Sequence, residues 1–159
     1  MKKIILTKNL HTIVDDDDYS YLSQWKWCAD SKGYAVRSER RSETGTTKRK
    51  IVLMHREILK VEKSQQVDHI SGNVLDNRKS NLRIATHSQN MRNRKLQSNN
   101  STGYKGVWYN RKKDRFIATI KINGQSRTLK YCRTALEAAQ IYNEKAVEIY
   151  GDFARINPI

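Results

Sequence analysis

The chain has 159 residues, enough for one domain or two small ones. Hydrophobic residues make up 37% of it, and 31 Lys and Arg against 16 Asp and Glu leave a formal charge of +15. No apolar run approaches the roughly 20 residues that span a membrane, and MKKIILTKNL lacks the apolar region of about 7–15 residues of a secretory signal, so a cytoplasmic, non-secreted protein is expected.

Residues 1–60 hold short runs rich in Ile, Val, Trp and Tyr, broken by Asn, Asp and Gly. They predict strands at Lys3–Thr7, Thr12–Val14, Trp25–Asp30, Tyr34–Ser38 and Lys50–Met54. The acidic run DDDDYSYLSQ (Asp15–Gln24) predicts a short helix whose aspartates complement its positive N-terminal end. A metal cluster is the other use for four aspartates, but nothing else in the segment supplies ligands. Ser38–Lys50 reads as a polar, charged loop that could touch phosphate, and MHREILK (Met54–Lys60) as one or two helical turns. His55 reads as a packing histidine.

The most informative stretch is VDHISGNVLDNRKSNLRIATHSQN, Val67–Asn90. Val67–Ile70 predicts a strand, Ser71–Asn73 and Asp76–Asn77 carry turn chemistry, and Asn81–Ala85 predicts the returning strand. Thr86 is a good N-cap for a helix to about Lys95. Asp68, His69, Asn81 and Asn90 offer what phosphodiester hydrolysis by one metal ion requires. A histidine titrating near neutrality can activate water, and hard oxygen donors can hold Mg²⁺ while leaving it room for water and phosphate. A second group behind the base can fix its tautomer. Asn81 is assigned that task, with Asn77 its one rival. His87, at the helix start, could approach the site, and Arg83 could pair with phosphate or with an acid of the fold.

LQSNNSTG (Leu96–Gly103) is a polar stretch without periodicity, read as a linker. Beyond it come strands at Lys105–Tyr109, Arg115–Ile122 and Gln125–Tyr131, the last two joined by the hairpin signal Asn123-Gly124. Thr134 with Glu137 forms a capping box. Ala135, Ala138, Ala139, Tyr142, Ala146 and Ile149 make an apolar helical stripe, with Gly151 as its stop. From Met91 to Arg133 there are 12 Lys and Arg against the single acid Asp114, whereas Met1–Asp30 has four Lys against five Asp. Polarised charge of this kind is the footprint of a polyanion partner. Cys28 and Cys132 stand far apart without CxxC spacing and read as small buried hydrophobes, with no structural zinc site.

Asp68-His69, Asn81 and Asn90, in register with NLRIAT and SQN, resemble the HNH homing endonucleases of phages and mobile introns, in their His-Asn-Asn branch. YAVR (Tyr34–Arg37) and MHREIL (Met54–Leu59) look like segments that precede the motif in phage members. The resemblance implies an α+β fold with a ββα-metal (His-Me finger) core. His69 would be the general base, Asn81 its orienting partner, and Asp68 and Asn90 the ligands of Mg²⁺ or Mn²⁺. YKGV, FIATIK, the EAA of the last helix and FARIN resemble the ethylene-response-factor (AP-two) domain, a three-stranded antiparallel sheet backed by a helix. That likeness implies double-stranded DNA as partner, met by Lys105, Trp108, Arg111, Arg115, Thr119, Lys121, Arg127 and Lys130. The segment departs from the plant pattern near Trp108 and at Lys130–Cys132, so no base-reading code carries over.

The expected organisation is a nuclease domain over 1–95 (a β-rich region 1–60, the ββα motif 61–95), a linker 96–103 and a DNA-binding domain 104–159. It is expected to act as a monomer or homodimer in a bacterial or phage-infected cell. The rival reading is a non-catalytic DNA-binding regulator on the same fold. It sits less well with the presence of all four motif residues.

Overall fold

The computed structural model describes residues 1–40 and 49–159, without the side chain of Arg40. Most of the polar loop expected at Ser38–Lys50, with its suggested phosphate contact, therefore lies outside the described residues. The chain divides into two compact units, Met1–His87 and Ser88–Ile159. Among the described residues no helix is long and apolar enough to cross a membrane.

The first unit opens with an antiparallel hairpin of β1 (Lys2–Ile5) and β2 (His11–Val14), followed by α1 (Asp16–Leu22). β3 (Cys28–Ala29), β4 (Ala35–Arg40) and β5 (Arg49–Leu53) form a three-stranded antiparallel sheet in that order. α2 (Met54–Leu59) follows, then the antiparallel pair β6 (Gln66–His69) and β7 (Leu82–Ala85). One apolar core joins these small pieces: Ile4, Leu6, Val14, Leu22, Trp27, Ala35, Met54, Ile58, Val67 and Leu82. The buried Trp27 indole N–H finds the Leu22 carbonyl at 2.8 Å, so its burial leaves no donor unpaired.

The four aspartates are absorbed locally. Asp16, Asp17 and Asp18 sit in the first turn of α1, as the dipole argument requires. Asp15 accepts from the Lys79 amide at 2.8 Å and Asp18 pairs with the Lys79 ammonium at 2.9 Å. The run thus tethers the approach to β7. Among the described residues no three His, Cys, Asp or Glu side chains group as a metal site.

α3 (His87–Asn93) begins at the last residue of the first unit. The second unit places β8 (Val107–Asn110), β9 (Arg115–Ile122) and β10 (Gln125–Cys132) in one antiparallel sheet with β9 central. α4 (Ala135–Tyr150) packs on one face of it. Thr134 caps α4, its hydroxyl accepting from the Glu137 amide at 3.1 Å, and Gly151 ends it at φ +53°. Phe116, Ala118, Cys132, Ala138 and Ala139 fill one part of the core, and Ile120, Tyr142, Ala146 and Tyr150 the other.

Two short sequence signals gain a structural reason here. Gly106 has φ +75°, and a Cβ there would stand 2.1 Å from the Tyr142 ring. Asn157 is buried and exchanges hydrogen bonds with the Lys105 backbone (2.6 and 3.0 Å) and with Asn143 (2.7 and 2.9 Å). It ties the chain end to the start of the sheet. Replacing Gly106 by Ala should lower stability by about 2–3 kcal/mol, combining left-handed strain with overpacking. A urea titration reads this directly, and an unchanged midpoint would contradict the packing described.

Candidate active site

His69 ends β6, beside Asp68, and both are buried. The segment from Ile70 to Asn81 that leads on to β7 is polar, and its own side chains organise it. Asn81 accepts from the Ser71 amide at 2.9 Å and donates to the Asp76 carbonyl at 2.7 Å. Arg78 grips the Asp76 carboxylate with two nitrogens, at 2.8 and 2.6 Å, and holds that carboxyl below the usual carboxylate range. The segment is also laced to β2: the Ile13 amide donates to the Leu75 carbonyl (2.9 Å), and the Asn77 amide to the Ile13 carbonyl (2.8 Å).

This lacing fixes the protonation of the histidine. A carbonyl oxygen only accepts, so the Thr12 hydroxyl must spend its one proton on Leu75 O, 2.7 Å away. The hydroxyl oxygen then accepts from Asn77 Nδ2 at 2.7 Å. That turns Asn77 Oδ1 toward His69 Nε2, at 3.3 Å. Since Oδ1 also only accepts, Nε2 carries the proton and Nδ1 keeps the lone pair. The group facing the imidazole is therefore Asn77, fully buried, whereas Asn81, expected in that role, closes the loop backbone. The sequence signal for the exchange was thin, because an Asn after Asp in a polar segment reads as a turn residue.

Burial lowers the His69 pKa below the ordinary histidine range; the Asn77 bond and the Asp68 and Asp76 carboxylates oppose it without overcoming it. A neutral imidazole at pH 7 is the form a general base needs. Two further rings stand against it. The His55 ring lies 5.1 Å away and near-perpendicular, and the Tyr34 ring 5.8 Å away. Burial, helped by the neighbouring His69 and Arg56, pushes His55 down to about 3.

Asp68 is engaged by Arg83, its cross-strand neighbour, whose Nε and Nη2 reach Oδ2 at 2.9 and 2.6 Å. This answers the question left by the sequence: Arg83 pairs with an acid of the fold, and that acid is the expected metal ligand. His87 Nδ1 accepts from the Gln66 amide at 3.3 Å. Asn90 lies on α3, half-buried, in the second unit.

The expected DNA-contacting residues separate in the second unit. Residues directly opposite in an antiparallel pair share a face. Trp108, Ile117 and Tyr131 are opposite one another, away from α4, with Arg115, Thr119 and Lys121 on the same face by alternation. Arg127 lies opposite Ile120 on the helix side, and a bulge between Thr128 and Lys130 shifts the register so that Lys130 lies there too, opposite Ala118. Lys130 pairs there with Glu137 at 3.3 Å. Arg111 is exposed in the turn between β8 and β9. Lys105 is turned inward: its ammonium donates to the Arg92 and Arg94 carbonyls, capping α3, and burial pushes its pKa down to about 8.

With this geometry in view, residues 60–92 match the family model described as HNH endonuclease. An uncharacterized HNH endonuclease of Acanthamoeba polyphaga mimivirus is 34% identical over 158 residues, covering 96% of this chain and 77% of its own. The chain belongs to the HNH endonuclease family. Protein 3.8 of Escherichia phage T7 is 32% identical over 96 residues, 60% of this chain and 78% of its own length. No solved structure gives a significant match. Membership of the HNH endonuclease family makes the chain a nuclease by kind, with nucleic acid as its substrate. Because the mimivirus match takes in nearly the whole chain, the likeness includes β2 and its threonine's segment as well as the HNH motif itself.

Both buried imidazoles refuse a proton that the unfolded chain takes up below pH ~6.5. The unfolded state then binds more protons, so stability falls as pH falls. For His55 the loss continues down to about pH 3. The denaturation midpoint should therefore drop between pH 7 and pH 4, by up to about 1.4 kcal/mol per pH unit for each histidine. His55→Phe should flatten the drop; an equally steep profile in that variant would refute the shift.

Proposed function

We propose that the chain is a divalent-metal-dependent DNA endonuclease of the homing type, built on a ββα-metal core and hydrolysing phosphodiester bonds. The observation that carries this reading is the relay from Leu75 O through Thr12 and Asn77 to His69, which puts the lone pair of an imidazole that burial keeps neutral on Nδ1. At that atom His69 takes a proton from water as the water oxygen bonds to phosphorus. The Asn77 contact at Nε2 steadies the resulting imidazolium. Its carbonyl dipole favours the charged ring, as its opposing effect on the pKa attests.

Asp68 and Asn90, the ligands that the family resemblance implies, would offer hard oxygen donors suited to Mg²⁺ or Mn²⁺. A bound cation would neutralise charge on the phosphate and assist the leaving oxygen. Arg83 pairs with the same Asp68 carboxylate at 2.9 and 2.6 Å. Cleavage is expected to leave 5′-phosphate and 3′-hydroxyl ends, and a monomer with one site nicks one strand. The AP-two-like module in the second unit supplies the grip on duplex DNA through the face carrying Trp108, Arg115, Thr119 and Lys121. Supporting it are the antiparallel sheet backed by α4 and the strong excess of positive charge in this part of the sequence. The site of action is the cytoplasm of a bacterial or phage-infected cell.

Supercoiled plasmid should be converted to open circle with Mg²⁺ and left intact with EDTA. His69→Ala should still bind DNA but nick at least about 100-fold more slowly, the usual loss on removing a general base. Equal nicking by that variant would sink the assignment. A separate expectation concerns binding. Arg115→Ala with Lys121→Ala should reduce the slope of log affinity against log salt by about two, one for each phosphate contact removed. An unchanged slope would place the DNA contact elsewhere.

A further inference from the structure

We propose that His55 is a second imidazole of the catalytic site, donating a hydrogen bond from a ring nitrogen to a non-bridging oxygen of the phosphodiester attacked by the His69-activated water. This rests on the nuclease reading of His69 and adds a residue outside the matched HNH segment.

The starting point is an imidazole whose ring is mostly buried but whose nitrogens still reach solvent. His55 is only 7% exposed. Its ring lies 5.1 Å from that of His69, at an interplanar angle of 81°, and 5.3 Å from that of Tyr34. Among the described residues neither of its ring nitrogens has a hydrogen-bond partner, and neither is sealed from solvent as Arg37 Nε is. A ring nitrogen that no protein group engages and that solvent still reaches can donate to an incoming ligand. The position is consistent with a polar ligand arriving from the His69 side.

The support beneath it is stiff. α2 buries Met54 and Ile58 in the core. Arg56, the next residue, clamps the approach to β6 by donating to the Gln65 carbonyl at 2.7 Å and the Glu62 carbonyl at 2.6 Å. The ring is thus held with little freedom to lose when substrate binds. It also stays neutral through the working pH range, so it can donate without placing a second cation beside the imidazolium that forms on His69. No proton leaves His55; it stabilises charge as that charge grows on the phosphoryl oxygens. Preorganised donors of this kind act mainly in the transition state.

The test compares wild type, His55→Phe and His55→Gln on supercoiled plasmid and on bis(p-nitrophenyl) phosphate, a diester that needs no sequence recognition, each with Mn²⁺. His55→Phe keeps the ring's volume but removes the donor. It should lose about 100-fold in kcat while retaining plasmid binding in a gel shift. His55→Gln restores a neutral donor and should recover about tenfold of that loss. His55→Phe within about threefold of wild type would overturn the proposal, as would His55→Gln no faster than His55→Phe, since removing a true donor costs about 100-fold or more. Loss of cleavage in His69→Ala with full cleavage in His55→Phe sinks this inference alone. A wild type inert on both substrates sinks the nuclease reading and this inference with it. Should His55→Phe prove unfolded at the assay temperature, the wild type decides. Its His55 ring nitrogen resonances should move when a short duplex is added in EDTA, and unmoved resonances overturn the proposal.

Discussion

The hydrogen bond from Thr12 to the Leu75 carbonyl orders the polar groups around His69. A hydroxyl has one proton, and once that proton is committed, the orientation of the Asn77 amide and the tautomer of His69 follow without further choice. Thr12 and Asn77 are both fully buried, so water cannot substitute for either partner. The nitrogen of His69 that keeps its lone pair is thus selected by a residue on β2, 57 positions away in sequence, through a loop that β2 also holds by its backbone. The β-rich region ahead of the motif is not a passive appendage; it supplies the group that sets the tautomer of His69.

Much of the architecture was legible beforehand, and for identifiable reasons. Strands such as Arg115–Ile122 have clean alternation, Asn123-Gly124 names its own turn, and Thr134 with Glu137 announces the start of α4. The acidic run was readable because a helix N-terminus explains it. The placement of Asp68 and His69 at a strand end followed from the turn residues after them. These signals are local, and local signals survive in a single sequence.

What escaped was decided by contacts between distant segments. Asn77 and Asn81 are chemically identical, and only the reach of Thr12 distinguishes the one that meets His69. His55 looked like a packing residue; that it packs against His69 depends on how α2 is set against β6. In the second unit a single bulge in β10 moves Lys130 to the helix side, although strict alternation from the sequence gives no warning of it. Lys105, placed on the DNA-facing set by resemblance, is instead drawn inward to the Arg92 and Arg94 carbonyls at the end of α3. Asn157 was noticed only as part of a motif, and its role in joining Lys105 to Asn143 needs the fold.

The inward turn of Lys105 has a wider consequence for the basic character of the chain. Arg56 is spent on backbone carbonyls, Arg78 on Asp76, Lys79 on Asp18, Arg83 on Asp68 and Lys130 on Glu137. A formal charge of +15 still acts at long range, drawing the molecule toward any polyanion. At contact, however, a cation already matched inside the fold would release no counterion to a polyanion. On the DNA-binding reading proposed above, the grip would be set by fewer charges than the attraction, an arrangement that favours rapid encounter and ready movement along a duplex over tight arrest at each stop.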